Sequence, residues 1–428
     1  MRPISLTLIL LFSTLSLTAQ SPTTVIKSAR MFDGKSDRLV EPGLIVISGN
    51  RIQSVGGSAP LGAKVIDLGD ATILPGFIDA HTHLTMDFDL DYNAARLKML
   101  NRTTGEQAIH ATVNARKTLM AGFTTVRDVG SQDFLDVALR NSINDGVVPG
   151  PRMLVSVHAL GGTGGHCDDG AGFKFGLLNH EAGPMDGVIN SPDDARFAVR
   201  WNIKYGADVI KTCATGGVLS PTDDVDVPQL SQGELDAMVA AAHELRRKTA
   251  AHAHGSEGAK RAILAGIDSI EHGTFLNDET LRLMREKGTY LVPTLSVRSG
   301  IAEAKFPPLV REKADMAMKA QDSLVRRALN LGVKIALGTD AAVYPHGDNA
   351  LEFVLLTADG MPPAQALRAG TSVAADLLGL ANKLGTLESG KLADVVAVPG
   401  NPISDIKVTQ SVFFVMKDGN VYRNDRAK

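Results

Sequence analysis

The sequence repeats one order of elements between about Thr72 and Gly370: a segment with helical periodicity, then a glycine, then a short apolar run. The junctions MAGFTTVRD, YGADVIK, AGIDSIEHG, KGTYLVPTL and LGVKIALGTD follow this order. Glycine suits the end of a helix because it lacks the Cβ that strains the left-handed conformation adopted there. Together with ATILPGFIDAHTHL, RMLVSVHAL and TAAHAHG, the chain contains eight strand-then-helix units. Strands that alternate with helices predict an α/β fold with a parallel sheet, and eight units favour closure into a (β/α)8 TIM barrel.

The predicted strands occupy approximately 72–84, 123–129, 152–160, 208–215, 249–255, 268–274, 289–296 and 334–341. Two capping-box patterns, Thr103-x-x-Glu106 and Ser231-x-x-Glu234, predict helix N-termini between them. Because no GxGxxG motif follows the first strand, an open, doubly wound sheet is disfavoured.

Residues 21–71 and 386–428 depart from this pattern. They contain short β-type runs, such as GLIVISG and ADVVAVPG, between turns rich in Gly, Asp and Asn. Neither flank is long enough to bury a core of its own, and isolated hairpins are marginally stable. We therefore predict that both chain ends meet in one small β-sandwich domain, beside a barrel domain that spans 72–385.

The first twenty residues predict export. Arg2 precedes an apolar stretch from Ile4 to about Leu17, and small residues follow it. This order is typical of a signal peptide at 1–20, and the apolar stretch is shorter than the roughly 20 residues of a membrane span. The mature protein is therefore expected to be periplasmic or secreted, without a membrane anchor.

Charge and composition exclude two classes of partner. The net charge is −3, no basic run occurs, and aromatic residues make up 5% of the chain. Such a chain has no electrostatic footprint for nucleic acid or for a membrane surface. A small molecule remains the expected partner.

The chain has two cysteines, Cys167 and Cys213, in what is predicted to be an oxidising compartment. Two cysteines cannot build a disulfide framework. Two free thiols are the favoured interpretation, and a single disulfide between them is the alternative.

Side chains with metal-binding chemistry collect at the carboxyl ends of the predicted strands. HTH closes the first strand, HAH the fifth, IEHG the sixth and LGTD the eighth. Residues i and i+2 of a strand point to the same side, so each H-x-H pair can aim both imidazoles into one site. Catalytic groups of (β/α)8 barrels gather at this end. The residues concerned are His81, His83, His252, His254, His272 and Asp340.

Lys211 closes the fourth strand in ADVIKTCATGG, where a buried strand should end. Lysine is almost never fully buried unless it is paired. Desolvation and neighbouring positive charge depress the pKa of an amine. A neutral amine can react with carbon dioxide to give a carbamate that bridges two cations. The alternative is an ion pair with Asp340 or Asp128. It is disfavoured because it does not explain why so many imidazoles occur at the strand ends.

These motifs resemble those of the metal-dependent amidohydrolase superfamily. The resemblance is carried by HTH after PGFIDA, the strand-four lysine, HAHG, SIEHGT, LGTDA and the tail motif GKLADVVAV. Within the superfamily the chain is similar to the imidazolonepropionase-like branch, which includes Xaa-Pro and other carboxypeptidase-type peptidases and ochratoxin-hydrolysing amidohydrolases. The resemblance covers nearly the whole mature chain, and the order and spacing of the motifs make it specific.

The resemblance implies two divalent metal ions, usually zinc, which imidazole and carboxylate ligands suit. The implied ligands are His81, His83 and Asp340 for one ion, His252 and His272 for the other, and Lys211 as a bridging carbamate. His254 is the alternative ligand from the fifth strand. His252 is preferred because the family ligand usually follows the apolar end of that strand directly, and His254 then lines the pocket.

The implied reaction is hydrolysis of an amide C–N bond, with a metal-bridged hydroxide as the nucleophile and Asp340 as the group that transfers the proton. The expected substrate is a dipeptide, an N-acyl amino acid or an ochratoxin-like amide, from which a C-terminal amino acid is released. A lactonase on the same barrel and a non-catalytic secreted metal-binding protein are the alternatives. Deaminating relatives generally use one metal and lack the lysine, which argues against a deaminase. Homo-oligomers are common in this branch.

Two long loops, 161–190 and 216–230, are expected to shape the substrate pocket. His158 and His166 are further candidates for polarising the carbonyl or positioning the substrate. The glycine-rich GGTGGH segment either helps to polarise the carbonyl or position the substrate, or forms only a flexible lid.

Overall fold

The structure, a computed structural model, describes residues 23–178 and 180–426. The predicted signal peptide at 1–20 lies outside the described residues. Within those two ranges, no helix has the length and hydropathy that crossing a membrane requires.

The described residues form an α/β fold. Its strands are β1 (Thr23–Ser28), β2 (Arg30–Met31), β3 (Gly43–Ser48), β4 (Arg51–Val55), β5 (Lys64–Asp67), β6 (Ala71–Pro75), β7 (Phe77–Thr82), β8 (Phe123–Asp128), β9 (Arg152–Val155), β10 (Val209–Cys213), β11 (Lys248–Gly255), β12 (Ser269–Phe275), β13 (Tyr290–Val292), β14 (Val395–Pro399), β15 (Phe414–Lys417) and β16 (Asn420–Asn424). Two sheets, β7-β8-β9 and β10-β11-β12-β13, contain only parallel pairs. The α/β class is therefore confirmed.

Helices connect the parallel strands. They are α1 (Tyr92–Asn101), α2 (Thr104–Met120), α3 (Leu135–Asn144), α4 (Pro192–Lys204), α5 (Gln232–Glu244), α6 (Ser256–Ala265), α7 (Asp278–Lys287), α8 (Val297–Glu303), α9 (Pro308–Gln321), α10 (Leu324–Asn330), α11 (Leu351–Ala358), α12 (Pro363–Ala369) and α13 (Ser372–Leu377), followed by a 3-10 helix (Ile406–Ser411). Both predicted capping boxes are formed, by Thr103 with Glu106 and by Ser231 with Glu234.

Isolated parallel bridges connect the two parallel sheets. The bridges are Leu160–Thr212, Leu291–Ile335 and Thr82–Ala341. The segment 334–341 consequently lies between β13 and β7, and the backbone N–H of Ala80 donates to the carbonyl of Leu337 at 2.9 Å. The carboxyl ends of the parallel strands therefore lie on one side of the molecule.

Strands from both chain ends share one five-stranded sheet, in the order β16-β15-β14-β6-β2. A second sheet has the order β4-β3-β1-β5. Buried apolar side chains from both ends pack in one cluster that includes Ile26, Ile45, Ile73, Val395, Phe414 and Met416. The predicted domain boundaries, at 71/72 and 385/386, stay predictions.

The prediction of a single strand over 72–84 is wrong, because Gly76 divides it into β6 and β7. β6 pairs antiparallel with β14, whereas β7 pairs in parallel with β8. A Cβ at Gly76 would lie 2.2 Å from the Oγ1 atom of Thr124, so the chain needs glycine where it passes from one sheet to the other.

The segment predicted as the eighth strand, 334–341, forms isolated bridges and not a regular strand. A Cβ at Gly338 would lie 2.3 Å from the Cγ1 atom of Val292, which shows how closely the backbone approaches β13. Asp340 has a φ of 59° and Ala342 a φ of 128°, and neither value is compatible with an extended strand.

Candidate active site

Two histidines of the HTH motif and the aspartate of LGTD lie together at the carboxyl end of β7. The Oδ1 atom of Asp340 is 3.4 Å from Nε2 of His81 and 3.4 Å from Nε2 of His83. Burial by itself raises the pKa of Asp340, but the charge and hydrogen bonds of His81 and His83 outweigh it and hold that pKa well below its ordinary value. Asp340 is therefore ionised at neutral pH.

Three histidines from β11 and β12 form a second cluster beside the first. Ring nitrogens of His252, His254 and His272 all lie within 4.8 Å of one another, and the three side chains are buried. Ligand atoms of His81, His272 and Asp340 also all lie within 4.8 Å of one another. His272 therefore belongs both to this first cluster and to the second. Burial, reinforced by neighbouring imidazoles, lowers the pKa of His252 and His272 well below the ordinary value and that of His254 to about 3.

Four imidazoles each have one ring nitrogen bonded to a fixed acceptor. The bonds are His81 Nδ1 to Glu271 Oε2 at 2.8 Å, His83 Nδ1 to Gly130 O at 3.2 Å, His272 Nδ1 to Thr294 Oγ1 at 2.8 Å, and His252 Nε2 to Gly216 O at 3.1 Å. The hydroxyl of Thr294 donates to the carbonyl of Pro293, so it accepts from His272. In a neutral imidazole the other nitrogen then carries a free lone pair. That nitrogen is Nε2 in His81, His83 and His272 and Nδ1 in His252. In His81 and His83 it also faces the carboxylate of Asp340, to which it donates when the ring is protonated.

Backbone strain accompanies the site. Non-glycine residues with positive φ occur within or shortly after the parallel strands: Val157 (65°), His272 (67°), Thr294 (52°) and Asp340 (59°). Such strain costs free energy and is typical of functional sites, where the surrounding structure maintains it. β9 and β13 end before Val157 and Thr294, which is why they are shorter than the predicted strands 152–160 and 289–296.

Lys211 lies in β10, and 3% of the residue is exposed. Its amine forms no ion pair with a residue that the structure describes. Asp340 contacts the two HTH histidines, and Asp128 accepts a hydrogen bond from the backbone N–H of Leu84 at 2.6 Å. Burial lowers the pKa of Lys211 to about 8, against the attraction of Glu271 and Asp340.

A buried arginine and glutamate support His81, and neither was among the predicted site residues. Arg127 in β8 and Glu271 in β12 are fully buried, and Nη2 of Arg127 is 2.8 Å from Oε1 of Glu271. Burial raises the pKa of Glu271, but Arg127 and His81 outweigh it and bring the pKa to about 2. Both residues interrupt apolar strand runs, TTVRD and SIEHG. A charge inside such a run is the signal that could have identified the pair.

Arg127→Met is expected to lower the free energy of unfolding by about 3–5 kcal/mol, because Glu271 would keep a buried charge without its partner. Chemical denaturation measures this change. Arg196→Met is the matched control, since Arg196 pairs with Asp193 on an exposed helix face and its loss should cost less than about 1 kcal/mol. Equally small changes in both variants would contradict the supporting role of Arg127.

The loop after β9, residues 161–190, is covalently joined to β10. Cys167 and Cys213 form a disulfide, so the favoured interpretation of two free thiols is wrong and the alternative is correct. The cysteines are 46 positions apart, and only the fold brings their Cα atoms to 5.8 Å. The disulfide anchors the loop two residues after Lys211.

Reduction of this disulfide is expected to lower the free energy of unfolding by about 2–4 kcal/mol, because the unfolded chain loses a cross-link. Denaturation of the oxidised and the reduced protein measures the difference. The double variant Cys167→Ser, Cys213→Ser is the control, since its stability should not respond to the reductant. Identical curves for the wild type with and without reductant would show that the disulfide does not stabilise the fold.

Of the further candidates, His166 lies beside the second histidine cluster, whereas His158 contacts Phe134, and the roles of both stay predictions. The ring centroids of His166 and His252 are 4.2 Å apart. Burial lowers the pKa of His166 to about 4. His158 packs edge-on against Phe134 with the ring centroids 5.4 Å apart, and it belongs to neither histidine cluster. His254 is a member of the second cluster.

Residues 72–423 match the amidohydrolase family. The match spans most of the chain and includes all members of both histidine clusters. The chain belongs to the amidohydrolase family. This amidohydrolase is a hydrolase that acts on C–N bonds, and the predicted family and enzyme class are confirmed.

Individual relatives place the amidohydrolase in the predicted branch. It is 34% identical to ochratoxinase of Aspergillus niger over 437 aligned positions, which cover 95% of this chain and 88% of the relative. It is 26% identical to imidazolonepropionase of Cutibacterium acnes, over 84% of this chain and 87% of the relative. A solved structure of a Xaa-Pro dipeptidase with methionine bound in its active site matches with a TM-score of 0.89 and 42% identity, over 94% of this chain and 100% of that one. The resemblance to the imidazolonepropionase-like branch is confirmed.

Proposed function

We propose that this amidohydrolase binds two divalent cations at the carboxyl ends of a (β/α)8 barrel and hydrolyses an amide bond of a small, peptide-like substrate. The barrel is supported by the parallel bridges that connect the two sheets through the segment 334–341. A composite β-sandwich is supported by the sheet that strands of both chain ends share. The observation that carries the functional proposal is the cluster of imidazole nitrogens beside the ionised Asp340.

The donor atoms of the two histidine clusters fit a pair of cations. The proposed ligands are His81, His83 and Asp340 for one ion, and His252 and His272 for the other. Imidazole nitrogen and carboxylate oxygen suit zinc. Glu271 accepts a hydrogen bond from Nδ1 of His81, the ring nitrogen opposite to the proposed ligand atom Nε2, as carboxylates do behind metal-binding histidines. His254 lies in the same cluster and is the alternative ligand to His252.

Lys211 would complete the site as a carbamate. Its side chain is buried without a carboxylate partner among the described residues, and its pKa, lowered to about 8, increases the fraction of neutral amine. The amine nitrogen would attack the carbon of carbon dioxide and lose one proton. The product replaces a buried cation by an anionic oxygen ligand between imidazoles, which reduces the repulsion in the site.

Two cations bound here would lower the pKa of a water molecule and polarise the scissile carbonyl. Asp340 would accept a proton from the attacking water and return it to the leaving nitrogen. The contacts of Asp340 with His81 and His83 support this role, because they keep the carboxylate ionised and fix its position.

The relatives support a substrate that yields a free C-terminal amino acid. One solved structure is of a Xaa-Pro dipeptidase with methionine in its active site, and a curated relative is an ochratoxinase. We infer a dipeptide, an N-acyl amino acid or an ochratoxin-like amide as the substrate. The disulfide between Cys167 and Cys213 supports export, since disulfides persist in oxidising compartments.

Metal analysis and a substrate panel test the proposal together. The purified protein is expected to contain about two equivalents of divalent metal per chain, to lose activity on chelation, and to regain it with metal and bicarbonate. The panel contains dipeptides with varied C-terminal residues, N-acyl amino acids, ochratoxin A and a lactone. Turnover of the lactone alone would favour a lactonase, and metal binding without any turnover would favour a non-catalytic metal-binding protein.

A further inference from the structure

The imidazole of His166 rests on the bare backbone of Gly217, in the loop 216–230. A Cβ added at Gly217 would lie 2.2 Å from Nδ1 and 2.2 Å from Cε1 of His166. The ring of His252 is also close, with the centroids 4.2 Å apart and the planes tilted by 30°. His166 is therefore in contact both with the loop after β10 and with the second histidine cluster.

A chain of hydrogen bonds determines which nitrogen of His166 carries the proton. Nδ1 is 3.0 Å from the Oγ atom of Ser220. The hydroxyl of Ser220 has one hydrogen, and Oγ lies 2.6 Å from Oδ1 of Asp223, a charged acceptor that forms the stronger bond. Ser220 therefore donates to Asp223 and accepts from His166. It follows that Nδ1 of His166 is protonated and that Nε2 has a free lone pair.

This chain of hydrogen bonds is anchored from two sides. The buried amine of Lys313 in α9 donates to the carbonyl oxygens of Gly217, Ser220 and Asp223 at 2.7, 2.6 and 2.9 Å. The side chain of Gln229 donates to Asp223 at 2.8 Å and accepts from the backbone N–H of His166 at 2.9 Å. Cys167, the next residue after His166, is covalently bonded to β10. The imidazole is thus held in one place and in one tautomer.

We propose that His166 determines substrate specificity by accepting, at Nε2, a hydrogen bond from a nitrogen donor of the substrate, and that Gly217 and Ser220 are its positioning residues. The inference rests on the proposed function and names a group that the substrate must carry. The candidate donors of a dipeptide are the N–H of the scissile amide and the α-amino group, since both flank the carbonyl that the proposed metal site beside His252 would bind. A substrate that lacks the donor leaves the desolvated lone pair on Nε2 of His166 without a hydrogen bond. This cost disfavours it relative to a substrate that carries the donor.

Gly217→Ala is the decisive variant, because the methyl group displaces the imidazole while the backbone at 217 is not in the left-handed region. KM is expected to rise about tenfold, which corresponds to one lost hydrogen bond, with little change in kcat. Gly183→Ala is the matched control in the loop 161–190, since a Cβ there meets no atom within 4 Å. Ser220→Ala should raise KM in the same direction, and Ser220→Thr, which keeps the hydroxyl, should restore it.

Three substrates identify the donor. L-alanyl-L-methionine carries both candidate groups, N-acetyl-L-methionine lacks the amine, and L-alanyl-L-proline lacks the amide N–H. The substrate whose KM does not respond to Gly217→Ala lacks the group that His166 recognises. Equal KM values for the wild type, Gly217→Ala and Gly183→Ala with all three substrates would overturn the proposal.

An NMR measurement of the His166 tautomer does not depend on turnover, so it tests this inference independently of the proposed function. NMR of the zinc-loaded, ¹⁵N-histidine-labelled protein, assigned with His166→Asn, is expected to show the Nδ1–H tautomer in the wild type and mixed tautomers in Ser220→Ala. An Nε2–H tautomer in the wild type would overturn the inference even if amides are hydrolysed. If no amide is hydrolysed, the proposed function and the donor assignment fail together, whereas an Nδ1–H signal would still verify the positioning by Ser220.

Discussion

Asp340→Asn is expected to lower kcat by about 10²–10⁴-fold, which is the contribution of a positioned acid–base group. Asparagine keeps the size of the side chain and one oxygen that can stay near Nε2 of His81 and His83. The metal content should therefore remain close to the wild-type value. The variant loses the ability to accept a proton, because an amide is not a base at neutral pH.

Turnover at saturating dipeptide and metal content are measured on the same samples of Asp340→Asn. Asp208→Asn is the matched control. Asp208 lies just before β10, at the end of that strand opposite to the site, where it pairs with Arg140 at 2.6 Å. Turnover of the control should equal that of the wild type. An Asp340→Asn protein with both metals and full turnover would exclude Asp340 from proton transfer.

Lys211→Ala is expected to lose bound metal and activity together. The carbamate is proposed as a direct bridging ligand, so activity should fall by more than the ~10–100-fold that loss of an outer hydrogen-bond partner costs a metal site. Short carboxylates such as acetate should restore part of the metal content, because the cavity left by the side chain can admit a soluble oxygen ligand. Metal analysis and kinetics, with and without acetate, measure both effects.

Lys417→Ala is the control for the removal of a buried lysine. Lys417 in β15 is 7% exposed and donates to the carbonyl of Gly150 at 2.7 Å, so its loss removes a structural hydrogen bond. The control should lower stability without changing the metal content. If Lys211→Ala kept both metals and full activity, Lys211 would carry no carbamate that matters for function.

The positions of the site histidines were predictable because they depend on local rules. His81 and His83 are two residues apart at the end of a strand, and parallel strands present their carboxyl ends on one side. The structure accordingly brings both within 3.4 Å of Asp340, although 257 positions separate His83 from Asp340 in the chain. Only the order of the strands had to be known for this prediction.

Other features of the site depend on contacts that no local pattern encodes. The free-thiol interpretation of Cys167 and Cys213 was wrong because a single pair of cysteines carries no information on distance. Lys313 lies on α9 and binds three carbonyl groups of the loop 216–230. Nothing in the helix that contains Lys313 indicates that partner. Arg127 and Glu271 could have been suspected as charges inside apolar runs, but their pairing could not.

The sequence by itself determined the α/β class, the family, and the residue types that gather at the strand ends, since these follow from hydrophobic periodicity and short motifs. The tertiary structure decided where regular strands stop. Gly76 divides the predicted first strand, and the segment predicted as the eighth forms isolated bridges only. It also decided the orientation of each imidazole, because a histidine tautomer depends on its hydrogen-bond partner. For His81 and His166 those partners are Glu271 and Ser220, which lie 190 and 54 positions away in the chain.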